Sequence, residues 1–158
     1  MKALSTSAQR VQDALDAAGV QTRIVEHDVP ARTSAEAAAV LRCAVGQIAK
    51  SLVFKSASGA PVLVIASGAH RVDEAKIAAL AGEAIGKADA SFVRAATGYA
   101  IGGIPPLAHS TRARTFIDRN LLAYETVYAA GGTPHAMFPI SPAELVRVAE
   151  GTVAETAP

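Results

Sequence analysis

The sequence predicts an α+β fold with a mixed, largely antiparallel sheet. Two observations predict it. Strand and helix patterns intermingle without the strict alternation that builds a parallel sheet. Two turn signals, Ser58-Gly59 and Gly131-Gly132-Thr133-Pro134, join β-rich runs and read as hairpins.

The elements follow in order. Over residues 7–18, Val11, Leu15 and Ala18 fall at helical spacing, and Gly19 is placed to end the helix. Residues 21–26 read as a short strand. Thr33-Ser34-Ala35-Glu36 is a capping box, with the Thr33 hydroxyl serving the third amide while Glu36 reaches back, so a helix should run to about Leu41. Strands follow at 51–54 and 62–66. Asp73 then caps a helix carrying Ile77 and Leu80, with Gly82 as its stop. Asp89 or Ser91 opens another helix, ending at Gly98. Residues 99–109 form a glycine- and proline-rich loop. Strands are expected at 114–117, Val127–Ala130 and Ala136–Ile140. Ser141 as cap, Pro142 at the first position, Glu144 closing the box and Gly151 beyond the end signal the last helix. The tail from Thr152 reads as frayed.

A length of 158 residues fits one domain over 1–158, large enough to bury roughly 70% of the unfolded surface. Apolar residues make up 51% but aromatics 4%, with no tryptophan, so alanine, valine, leucine and isoleucine must fill the core. Cys43, the one cysteine, excludes an internal disulfide and reads as packing. The histidines at 27, 70, 109 and 135 have no metal-ligand spacing, so neither metal nor cofactor is expected. The start, Met1 to Ser5, has no long apolar stretch behind it, and no run approaches a membrane span; the chain reads as cytoplasmic with no membrane partner. A net charge of +1 is small for a protein that grips duplex DNA by counterion release.

Two features could carry chemistry. In a strand, Lys50 shares a face with Leu52 and Phe54 while Ser51, Val53 and Lys55 point the other way. If the Leu52 and Phe54 face is core, Lys50 stands at its mouth, either snorkelling to water or lining a polar pocket. In the loop, Gly102-Gly103 permits left-handed backbone and close approach to a ligand, and Pro105-Pro106 stiffens the exit. Rigid exposed amides suit a carbonyl or oxyanion, although an ordinary crossing loop has the same composition. The Gly131-Gly132-Thr133-Pro134-His135 turn is a weaker signal. No nucleophile elbow, triad order, P-loop or Rossmann glycine pattern is present.

In order and spacing, Gln47-Ile48-Ala49-Lys50-Ser51-Leu52-Val53-Phe54-Lys55, then Gly98-Tyr99-Ala100-Ile101-Gly102-Gly103-Ile104-Pro105-Pro106, then Ala130-Gly131-Gly132, resemble the YbaK/EbsC family. That family includes free-standing trans-editing deacylases and the insertion domain of bacterial prolyl-tRNA synthetases. The Gly-Gly-Ile-Pro-Pro loop and the Gly-Gly-Thr-Pro turn resemble its branch related to ProX more than YbaK proper. The resemblance implies a sheet curled into a partial barrel with surrounding helices, and a pocket for the aminoacyl-adenosine end of a mischarged tRNA. It implies an aminoacyl-tRNA hydrolase that removes a small amino acid from tRNA-Pro, with prolyl-tRNA synthetase as a further partner. A binding module without catalysis is the alternative. Lys50 and Gly102 match catalytic positions, and Ser51, Ile101, Gly103, Ile104, Pro105, Pro106, Gly131 and His135 match or adjoin substrate-binding ones. Lys50 would pair with the terminal phosphate or donate to the ester carbonyl. Water or the ribose 2′-hydroxyl would take the base role.

Overall fold

The computed structural model describes residues 3–158; Met1 and Lys2, part of the start inspected above, lie outside them. Five α-helices, α1 (Thr6–Ala17), α2 (Ser34–Leu41), α3 (Glu74–Ala81), α4 (Ala90–Thr97) and α5 (Pro142–Ala149), surround one eight-stranded sheet. The strands are β1 (Val25–Glu26), β2 (Ile48–Ser56), β3 (Pro61–Ser67), β4 (Ile85–Lys87), β5 (Arg114–Asp118), β6 (Val127–Ala130), β7 (Ala136–Ile140) and β8 (Thr152–Ala154). Their order is β1-β7-β6-β2-β3-β5-β8, with β4 on β2. The pairs β1–β7, β6–β7, β2–β3 and β2–β4 are antiparallel, while β2–β6, β3–β5 and β5–β8 are parallel. The ends, β1 and β8, do not meet, so the sheet is mixed, mostly antiparallel and unclosed.

Capping residues set most helix boundaries. Ser5, Thr33, Asp73, Asp89 and Ser141 each accept a first-turn amide, and Gly82 and Gly98 end their helices in the left-handed conformation. Asp89, not Ser91, caps α4. Two boxes differ from the expected form. The Glu36 carboxylate reaches past Thr33 to the Arg32 amide at 3.2 Å, and Glu144 turns to Arg147 at 3.3 Å.

Both sheet faces are covered. Ala49, Leu63, Ile65 and Ile117 face the main core with α1 and β6–β7, while Phe54, Val62, Val64, Ala66 and Phe116 face a smaller cluster under α3. The face that Lys50 shares with Leu52 and Phe54 is thus the lesser of two apolar layers. Period-2 alternation gave the parity, but not that both parities are buried.

Two expectations are corrected. Of residues 21–26 only Val25 and Glu26 pair, with β7. The buried Gln12 side chain takes the place of a neighbouring strand before them, donating to the Thr22 carbonyl at 3.0 Å and accepting from the Ile24 amide at 2.9 Å. The tail from Thr152 is not frayed. It forms β8 on β5, and the Thr156 carbonyl accepts from the Asp73 amide at 2.7 Å. Gly151 permits this approach, because a Cβ there would stand 2.9 Å from Ile117 and Thr115 side-chain carbons. Sequence reading also passed over β4 and the 3₁₀ turns at Val45–Gln47 and Arg119–Ala123, all too short to show periodicity.

Candidate functional site

The geometry of β2 makes the site. On one side β3 pairs with it continuously from Ala49 to Lys55. On the other, β6 pairs only at Ile48 and Ala49, and β4 only from Phe54 to Ser56. Between them, on that second side, Lys50 to Val53 have no neighbouring strand. A cavity of about 550 Å³ opens beside this interruption, within the range of small-molecule sites.

Three further segments complete the wall. The entry and first turn of α2 contribute Arg32, Thr33, Ser34 and Ala37; the loop contributes Ile101, Gly102 and Ile104; β6 and β7 contribute Ala130 and Met137. Gly68 lies where α2 crosses the end of β3, and a Cβ there would meet the Ser34 Cβ and the Val45 carbonyl at 2.6 Å. The lining is mostly apolar, with hydroxyls at Thr33, Ser34 and Ser51.

Lys50 and Arg32 are the ionisable side chains of that lining. Among the described residues the Lys50 ammonium has no hydrogen bond and no ion pair. The next side chain adds a second open valence: Ser51 Oγ is buried with no partner. Most buried hydroxyls are hydrogen-bonded, so this orphan is an exception within the β2 segment that borders the cavity.

The loop is held from behind. Thr97 Oγ1 accepts from the Tyr99 amide at 3.0 Å, and the buried Tyr99 hydroxyl donates to the Ala108 carbonyl at 3.0 Å, tying the start of the loop to its end. His109 Nε2 lies 2.6 Å from the Pro105 carbonyl, which as an acceptor requires the proton on that nitrogen. Burial holds the His109 pKa below the usual histidine value, with the Pro105 bond opposing. Arg10 stacks over the Tyr99 ring at 4.5 Å and donates to the Gly98 carbonyl at 3.3 Å. Ala108, at φ +66°, occupies the left-handed region where this bracket closes.

Of the ten residues singled out from sequence, Lys50, Ser51, Ile101, Gly102 and Ile104 line the cavity. Gly103, Pro105, Pro106, Gly131 and His135 do not. Gly103 is packed so tightly that a Cβ would lie 2.6 Å from the Thr133 Cα, backbone against backbone. Pro105 and Pro106 are buried behind the loop. Gly131 is covered by Ile24. His135 belongs to a separate cavity of about 410 Å³ with Glu26, His27 and Asp28, where its Nδ1 lies 3.0 Å from the His27 carbonyl. The turn and the loop therefore touch each other, and one presents the other. Sequence reading missed the α2 contribution. The Thr33 box announced a helix start, but nothing local says that Ser34 and Ala37 face β2.

A family model described as the aminoacyl-tRNA editing domain matches residues 28–148. This chain belongs to that family. Every residue named in the wall of the β2 cavity falls inside the matched span, whereas α1, β1 and β8 lie outside it. Over 99% of both chains it is similar, at 42% identity and a TM-score of 0.94, to the crystal structure of a candidate trans-editing enzyme for prolyl tRNA synthetase. It is 34% identical to the hypothetical protein APE2540, covering 94% of this chain and 99% of that one, with a TM-score of 0.87. YwhH of Bacillus subtilis (strain 168) is 26% identical over 122 residues, 77% of this chain and 78% of that protein. As an editing domain it carries no group of three or more His, Cys, Asp or Glu that could hold a metal ion among its described residues. No helix among them is long and apolar enough to cross a membrane.

Proposed function

We propose that this protein is a single-domain cytoplasmic hydrolase that cleaves the ester between a small mischarged amino acid and the terminal ribose of tRNA. The favoured tRNA is tRNA-Pro, and prolyl-tRNA synthetase is the partner whose errors it clears. One observation carries the reading: an unpaired lysine in a mostly apolar cavity beside a glycine loop, in a chain of the editing-domain family. The similarity to a candidate trans-editing enzyme supports the choice of tRNA.

In this reading Lys50 supplies positive charge to the terminal phosphate or the ester carbonyl. The Gly102 backbone orients that carbonyl, Ser51 forms part of the wall beside Lys50, and Ile101 and Ile104 bound the side-chain space. Gly103, Pro105, Pro106, Gly131 and His135 stand outside the cavity and are given no contact with the substrate. No carboxylate or imidazole lines the cavity, so the attacking water is positioned by the site or assisted by the ribose 2′-hydroxyl. Small residues are selected by exclusion of larger ones, since one methylene of lost contact is worth only ~1–3 kcal/mol.

The absence of a side-chain base also favours a second reading, a module that binds aminoacyl ends without hydrolysing them. A panel of labelled aminoacyl-tRNAs separates the two. Wild type should release amino acid from at least one small-residue tRNA, unaffected by EDTA. Lys50→Ala should lose about a hundredfold or more, the scale of removing one oxyanion donor, at a nearly unchanged Tm. A loss in kcat assigns Lys50 to the carbonyl, and a rise in KM assigns it to the phosphate. Binding with no release from any tRNA selects the second reading.

A further inference from the structure

The charge of the cavity constrains its ligand more narrowly than its size does. Its ionisable lining side chains, Arg32 and Lys50, are both cationic, and no carboxylate lines it. The Glu36 carboxylate, on α2, is engaged by the Arg32 amide outside the lining. The ionisable side chains near the turn, His135, His27, Glu26 and Asp28, face the separate cavity. The loop brings in Ile101, Gly102 and Ile104, none of which ionises.

An aminoacyl ester carries its amine on the carbon next to the ester carbonyl. Any cation that serves the carbonyl therefore comes within the ~4–6 Å over which a like charge disfavours protonation. The remaining polar partners are hydroxyls. Hydroxyls carry no charge, so none of them offsets the cost of bringing an ammonium in beside two cations.

We infer that the cavity takes the acyl part of its ester uncharged: an aminoacyl ester with its amine unprotonated, or the matching 2-hydroxyacyl ester. This rests on the editing reading above. It adds 2-hydroxyacyl esters of tRNA, isosteric with the small aminoacyl esters, to the substrate class. It also sets a sign: binding of the aminoacyl form strengthens as pH rises through the amine pKa, near 8.

The test uses two amide analogues of the acceptor end that cannot be cleaved, 3′-alanylamino- and 3′-lactoylamino-3′-deoxyadenosine, which differ by amine against hydroxyl. Calorimetric titration at pH 6 should give at least fivefold tighter binding of the lactoyl analogue. By pH 9 the ratio should fall toward one. Arg32→Gln should narrow the gap at pH 6. Equal or tighter binding of the alanyl analogue at pH 6 overturns the inference, because it reveals an ammonium contact. The same protein is then given alanyl-tRNA and lactyl-tRNA, with rates expressed over the uncatalysed ones. A lactoyl preference in binding with no hydrolysis of either ester removes the catalytic reading and leaves the charge preference standing. Failure of both analogues to bind removes both.

Discussion

The loop at 99–109 and the turn at 131–135 are alike in sequence: each pairs two glycines with proline and ends near a histidine. In the fold they divide the labour. The loop lends Ile101, Gly102 and Ile104 to the cavity wall. The turn contributes no residue of its own to that wall and presses on the loop from outside, with the Thr133 backbone against Gly103 and Pro134 3.6 Å from a Cβ built on Gly102. Their histidines differ in the same way. His109 braces its own loop through Pro105, whereas His135 braces the segment at 27. Composition marks where backbone comes close to something. It does not say whether that something is a ligand or another piece of backbone.

The neighbouring glycines give the sharpest way to break this comparison. Gly103→Ala forces a Cβ to 2.6 Å from backbone atoms that cannot rotate away, so it should cost ~3 kcal/mol or more of stability. Urea unfolding reads it directly; a shift under 1 kcal/mol would show that loop and turn are less tightly joined than described. Gly102→Ala meets only an ordinary contact, with strain from φ +93°. It should stay folded yet lose at least tenfold in single-turnover deacylation, about 1.4 kcal/mol of transition-state stabilisation. Equal rates would reduce the loop to a structural crossing.

The loop's own brace should show in acid. Burial lowers the folded-state pKa of His109, so as pH falls the unfolded chain takes up the proton first. Stability from this residue is complete above the ordinary value near 6.5 and is lost as pH drops through the lowered folded value. The Tm of wild type should therefore fall more steeply between pH 7.5 and 5 than that of His109→Gln. Parallel curves would mean that the imidazole is not desolvated. The smallest effect is expected at the turn: His135→Ala should change kcat by less than about twofold while lowering Tm slightly. A large loss in kcat with no loss of stability would return His135 to the substrate side.

Much of this was legible in one dimension because it is local. A cap is a side chain three residues from the amide that it serves, so Thr33, Asp73 and Ser141 announced their helices. The hairpin at Ser58-Gly59 and the loop at 99–109 were marked by residues that tolerate their backbone angles. Alternation along β2 put Lys50 on a face and Ser51 on the opposite one. Resemblance to a family added which lysine and which glycine to watch.

The rest was decided by partners distant in sequence. Gln12 replaces a strand for Thr22 and Ile24, and β8 exists because β5 offers it an edge. Neither fact is written near the residues concerned. The cavity itself is an interruption, left where β6 stops pairing with β2 before β4 begins. α2 and the loop, 16 residues before and 52 residues after Lys50 by the numbering of Ser34 and Gly102, come to rest beside it. The sequence alone determined that Lys50 and Gly102 have the chemistry for a site. Only long-range packing decided that they share one, because a cavity is a property of surfaces that meet and not of any segment that forms them.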